Sequence, residues 1–132
     1  MTWKPDNFLK TQYYGPEAVT GYTYRGLGLH IAIKASPKGR RPPTWSLTHL
    51  GSGLRVAMIK GKVIDTFPIA SEIAECGDWD FDGIDGWRNR DPELPKKLVD
   101  VCAKYKCVTI GAGNHHPNTE NVVCEVVMAR AH

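Results

Sequence analysis

From Leu27 to Ala35 apolar residues recur at every second position. Leu29, Ile31 and Ile33 alternate with Gly28, His30, Ala32 and Lys34, the period of a half-buried β-strand. Trp45–Leu50 and Leu54–Ile59 are two further β-prone runs separated by Gly51-Ser52-Gly53, a spacing that predicts a hairpin. One face of the first run would carry Trp45, Leu47 and His49. In the second, Leu54, Val56 and Met58 would oppose Arg55, Ala57 and Ile59. Ser36–Pro43 holds three prolines, a glycine and three cations and must be a loop. Lys60-Gly61-Lys62 turns into Val63-Ile64, so residues 27–64 predict a three- or four-stranded antiparallel sheet.

Two helices follow in the pattern. Thr66 is placed to cap a short one over Pro68–Cys76, with Gly77 as its stop. A second, over Pro92–Tyr105, has Asp91 as N-cap. Leu94, Leu98, Val101, Cys102 and Tyr105 form its apolar stripe. Cys107–Ile110 and Val122–Ala129 read as strands joined by the polar loop Gly111–Asn121. Residues 1–26, with Trp3, Phe8, Tyr13 and Tyr14 but no periodicity, read as an aromatic N-terminal arm, with a weak helical signal at Glu17–Val19. Residues 27–132 read as a single domain. The expected class is α+β: a mostly antiparallel sheet of four to six strands with two helices packed on one face.

A chain of 132 residues is large enough for a core without metal or disulfide support. It has no run of 18 apolar residues and no apolar stretch near its start fit for a signal peptide, so a protein of the cytoplasm of whatever cell expresses it is expected. Cys76, Cys102, Cys107 and Cys124 form no CxxC pair and are expected to be reduced thiols.

Charge changes the picture more than composition does. The net charge of +3 conceals an asymmetry: residues 1–62 hold ten Lys and Arg against two acids, and residues 63–132 hold seven against twelve. Such a molecule offers one face to a polyanion and another to a basic partner. The candidate phosphate- or nucleic-acid-binding set is Lys34, Lys38, Arg40, Arg41, Arg55, Lys60 and Lys62, with Tyr22, Tyr24 and Trp45 at hand for base stacking. The candidate partner-binding set is Asp78, Asp80, Asp82 and Asp85.

Asp78-Trp-Asp-Phe-Asp-Gly83 matches the first half of an EF-hand loop, but the twelfth position is Asn89 rather than a bidentate Glu. The same alternation suits an acidic loop anchored by Trp79, Phe81 and Trp87, with its carboxylates outward. His115-His116 with Cys107 and Cys124 has no zinc-site spacing. Ser52 beside His49 lacks an orienting acid, and no Gly-x-Ser-x-Gly, Walker loop or dinucleotide fingerprint occurs. No metal, cofactor or catalytic residue is therefore assigned, and a non-enzymatic protein is expected.

Trp45-Ser-Leu-Thr-His49-Leu-Gly-Ser-Gly53-Leu-Arg-Val56 resembles a W-x-[VL]-T-H-x-x-[ST]-G-x-x-[VI] hairpin of small uncharacterised phage and mobile-element proteins, a similarity running on through Ile69–Phe81. The resemblance implies genomic context only: small phage products often bind host machinery, CRISPR effectors included. The expected function is a phage-encoded binding protein that docks through charged surfaces on a host nucleic-acid-handling or nucleoprotein complex, an anti-CRISPR-like inhibitor being one form. The alternatives are a direct DNA- or RNA-binding module using the basic sheet loops, and a cation-binding protein or small enzyme.

Overall fold

The computed structural model describes residues 2–12 and 15–110. The strands β1 (Lys4–Gln12), β2 (Gly15–Tyr24), β3 (Leu27–Ile33), β4 (Thr44–His49), β5 (Arg55–Lys60) and β6 (Val108–Ile110) form one antiparallel sheet in chain order. Three helices, α1 (Val63–Ala74), α2 (Gly83–Asn89) and α3 (Glu93–Lys104), lie between β5 and β6 in sequence. The fold is α+β, as the pattern predicts.

One face of the sheet carries the core. Leu27, Leu29, Leu47, Ala57 and Ile59 meet Ile69, Ala70 and Ile73 of α1 and Leu94, Leu98 and Val101 of α3 in one buried cluster. Such burial is the main source of stability, at about 25 cal/mol per Å² of apolar surface. The helices are also tied to each other: Glu72 accepts hydrogen bonds from the Tyr105 hydroxyl (2.7 Å) and the Lys104 ammonium (3.0 Å).

Within residues 1–26, expected as an arm, Tyr13 and Tyr14 lie outside the described residues; Lys4–Gln12 and Gly15–Tyr24 form β1 and β2, paired from Lys4 opposite Thr23 to Gln12 opposite Gly15. Their pattern is masked because the aromatics divide between two faces. Phe8 lies on the reverse face of the sheet, its ring within 2.7 Å of where a Gly28 Cβ would stand; only glycine permits that approach. Trp3 and Tyr22 instead meet Phe67 of α1, and Tyr24 meets Trp3: Trp3 lies 5.3 Å from Tyr24 and 6.2 Å from Phe67, and Tyr22 lies 5.1 Å from Phe67. The Trp3 indole donates to Ser71 Oγ at 2.8 Å.

Helix α1 begins at Val63, earlier than expected. Gly61, at φ 141°, turns the chain directly into it, so Val63-Ile64 continue no strand. Thr66 lies inside the helix, its hydroxyl donating to the Val63 carbonyl at 2.7 Å. Helix α3 keeps its expected apolar stripe but runs one residue shorter at each end, with Pro92 instead of Asp91 at the N-cap position; the Asp91 carboxylate still accepts the Glu93 N–H at 2.9 Å. The short α2 carries no apolar periodicity long enough to be read. Strand β6 occupies part of Cys107–Ile110 as expected, while Gly111–Asn121, Val122–Ala129, His115, His116, Cys124 and His132 lie outside the described residues. No helix among the described residues is long and apolar enough to cross a membrane.

A bulge corrects the expected facing of β5. Leu47 pairs with Ala57 but Thr48 pairs with Arg55, leaving Val56 as the extra residue. A bulge rephases the alternation, so Arg55 faces the reverse side while Ala57 and Ile59 face the core.

Leu47 is fully buried whereas Leu9 is 57% exposed. Leu47→Ala is expected to lower unfolding free energy by about 2–5 kcal/mol, and Leu9→Ala to change it by less than about 0.5 kcal/mol, both read from urea midpoints at constant m-value.

Candidate functional site: two charged ends of one sheet

An antiparallel meander puts successive connections at opposite ends of its strands. The link from β3 to β4 and the turn after β5 therefore share one end. Lys60 stands opposite Thr44, and the Gly61 N–H donates to the Pro43 carbonyl at 2.9 Å. This brings Lys34, Lys38, Arg40, Arg41, Lys60 and Lys62 to that end, all of them exposed. None of the six is ion-paired among the described residues, and positions 18–64 contain no Asp or Glu.

The Ser36–Arg41 segment is a closed loop. The Ser36 N–H donates to the Arg41 carbonyl (3.0 Å), and the Arg41 N–H returns to Ser36 Oγ (2.7 Å). Lys38 takes φ 66° within it, a conformation that non-glycine residues seldom adopt. A hollow of about 510 Å³ is lined by Ser36, Pro37, Lys38, Arg40 and Arg41.

Arg55 does not belong to this set. It is 7% exposed on the reverse face, donating from Nε to Ser46 Oγ at 3.0 Å and from Nη1 to Met58 Sδ at 3.4 Å. The aromatics expected to stack are half-buried: Tyr22 and Tyr24 are packed with Phe67 and Trp3, and the Trp45 indole nitrogen is covered.

The acidic residues lie at the opposite end, where the β2–β3 turn and the β4–β5 turn meet. The Leu50 N–H donates to Gly26 O, and the Gly83 N–H to Gly51 O. Asp78, Asp80, Asp82 and Asp85 are exposed, while Trp79 is 3% exposed and Phe81 half-buried, so the carboxylates face outward and the aromatics inward. A cleft of about 890 Å³ lies here, lined among others by Asp78, Asp80, Asp82 and Arg25, so one cation stands among the acids.

The EF-hand resemblance stops at Gly83. That residue has the required positive φ of 64°, but the chain then winds into α2 instead of around an ion. Asp78 Oδ1 accepts the Asp80 N–H at 2.9 Å. No group of three or more metal-ligating side chains is gathered among the described residues.

His49 fastens the acidic loop to the sheet. The ring is fully buried, stacked on Phe81 at 4.2 Å and edge-on to Trp87 at 5.3 Å. Nε2 lies 2.9 Å from the Trp79 carbonyl. A carbonyl only accepts, so Nε2 carries the proton and Nδ1 accepts the Ser52 hydroxyl at 2.8 Å. Burial holds the His49 pKa below its ordinary value, against the opposing pull of the Trp79 carbonyl and Asp82.

Ser52 Oγ in turn accepts the Trp87 indole N–H (3.0 Å) and the Leu54 N–H (3.3 Å). With its proton on His49 and both lone pairs engaged, this hydroxyl is a structural pin. Two of the thiols are also engaged in the fold: burial pushes Cys76 up to about 11, and Cys102 donates to the Val108 carbonyl at 3.2 Å.

On the reverse face His30 is 3% exposed, its two nitrogens without hydrogen-bond partners among the described residues. Burial, helped by the charges of Lys10 and Arg55 and opposed by Glu17, lowers its pKa to about 4. No known protein family, curated protein or solved structure matches this chain.

Two predictions follow from these contacts. Ser52→Ala leaves the Trp87 N–H and His49 Nδ1 unpaired and is expected to cost about 2 kcal/mol or more in chemical denaturation, while an activity-based fluorophosphonate probe leaves the wild-type protein unlabelled. For His30, the unfolded chain binds the proton near pH 6.5 and the fold only near pH 4. Stability is therefore full above about 6.5 and declines as pH falls toward 4, by roughly 3 kcal/mol. His30→Leu is expected to flatten that part of the stability–pH curve.

Proposed function

We propose that this chain is a non-enzymatic binding protein that docks on a nucleic-acid-handling or nucleoprotein complex, its basic end toward phosphate and its acidic end toward a basic protein surface. The observation that supports this is the placement of six exposed cations at one end of the sheet and four exposed carboxylates at the other. Strand β4 has six residues, which at about 3.3 Å each separates the ends by roughly 15–20 Å. That exceeds the Debye length of about 8 Å at physiological salt, so in solution each end attracts its own partner instead of neutralising the other.

The mechanism is occlusion. A rigid sheet presents a phosphate-seeking loop and a carboxylate-bearing loop to two neighbouring surfaces of one complex, and blocks what would otherwise bind there. An inhibitor of the anti-CRISPR kind, encoded by a phage, is one concrete form.

Charge reversal tests the reading one end at a time. K38E/R40E/R41E and D80K/D82K/D85K change exposed side chains and are expected to leave the melting temperature nearly unchanged. Each is expected to weaken association with a purified CRISPR ribonucleoprotein effector or another nucleoprotein target at least tenfold in surface plasmon resonance. Unaltered affinity for both variants would sink the two-ended mode.

A further inference from the structure

We infer that the Ser36–Arg41 loop, with Lys34, Lys60 and Lys62 beside it, grips the phosphate backbone of a double-stranded nucleic acid without reading its bases. The inference rests on the basic end being a docking end and names what it docks on.

Three observations point to phosphate. The loop is closed on itself by the two Ser36–Arg41 hydrogen bonds, so its cations are presented on a fixed backbone and less loop freedom is lost on binding. Its hollow of about 510 Å³ is lined by three cations and no carboxylate, and the nearest acids along the chain are Glu17 and Asp65. Arg40 and Arg41 supply planar forks that bind phosphate oxygens in pairs, and the lysines add point charges around them.

Two observations favour a duplex over a single strand. Single strands are held by aromatic platforms on which bases stack, and here Tyr22 and Tyr24 are half-buried against Phe67 and Trp3, and Trp45 is half-buried with its indole nitrogen fully covered. A duplex keeps its bases stacked and offers backbone alone. Base readout is also poorly provided for. Positions 18–64 contain no Asn or Gln to pair with adenine, and the cations sit on the β3–β4 connection, at the last residue of β5 and in the turn after it instead of along an element that fits a groove.

The test is a salt series of binding affinities for the full chain, by fluorescence anisotropy, with two unrelated 30-base-pair duplexes, a dT oligonucleotide of equal length and poly-glutamate. Expected are similar affinities for the two duplexes, weaker binding of dT and poly-glutamate, and a log–log salt slope between about −3 and −5, at about −0.9 per phosphate. K38Q/R40Q/R41Q is expected to make the slope less negative by about 3 and to weaken both duplexes alike, whereas D80N/D82N, at the far end, leaves duplex affinity within twofold or tightens it. Circular dichroism melting confirms that both variants fold.

Equal binding of poly-glutamate, tighter binding of dT than of duplex, or an unchanged slope in the loop variant overturns the inference. Absent duplex binding with nucleoprotein docking intact overturns it too, but leaves the docking reading standing. Loss of both removes the two together.

Discussion

The separation of charge depends on one buried imidazole. The loop that bears Asp78, Asp80 and Asp82 has no regular structure of its own, and repulsion among its carboxylates opposes any fixed position. His49 fixes it, with Nε2 on the Trp79 carbonyl, Nδ1 on Ser52 and its ring on Phe81. Trp79 adds a second tie through its indole, which donates to the Ala74 carbonyl at 3.0 Å. Both polar atoms of the ring are satisfied, so its full burial carries little of the penalty that an unpartnered group would bring. Gly51 completes the fit: a Cβ there would stand 2.2 Å from the Phe81 carbonyl oxygen.

Chain geometry then accounts for why opposite charges end up apart. The connections after β3 and β5 share an end, and both are basic. To put the acidic loop at the other end the chain has to cross the sheet once more, and α1 does this. Its twelve residues span about 18 Å at 1.5 Å per residue, close to the length of the strands it packs against. Along the way it contributes Ile69, Ala70 and Ile73 to the core. The element that builds the core is thus also the spacer between the charged ends.

Much of this was legible in the residues. Period-2 alternation marked β3, β4 and β5, although β3 is buried on both faces from Leu27 to His30 and exposed on both from Ile31 to Ile33, and a bulge breaks the alternation of β5; the apolar stripe marked α3, because that helix buries one side. The outward carboxylates and inward aromatics of 78–82 were legible for the same reason. The first two strands were not, since their apolar residues serve two faces: Phe8 covers Gly28 behind the sheet, while Trp3 and Tyr22 meet Phe67 in front. Helix α2 was too short to show a period. The Ser52–His49 pair was visible as neighbours in sequence, but its structural role rests on Trp87, thirty-five positions away, and no local pattern encodes that contact.

Arg55 shows how one backbone irregularity reassigns a charge. By strict alternation it would share a side with Ala57 and Ile59, and by composition it would join the cations of the basic end. The extra residue Val56 turns it to the reverse face, where Ser46 and Met58 receive it. A guanidinium does not neutralise near physiological pH, so it imposes its charge on whatever is beside it, and His30 is lowered partly by Arg55 and Lys10 for that reason. Glu17, within reach of Lys10 at 3.6 Å, pulls the other way. Around His30, burial first and the charges of Lys10 and Arg55 second thus hold the imidazole pKa down. Six cations, without Arg55, remain at the solvent-facing end.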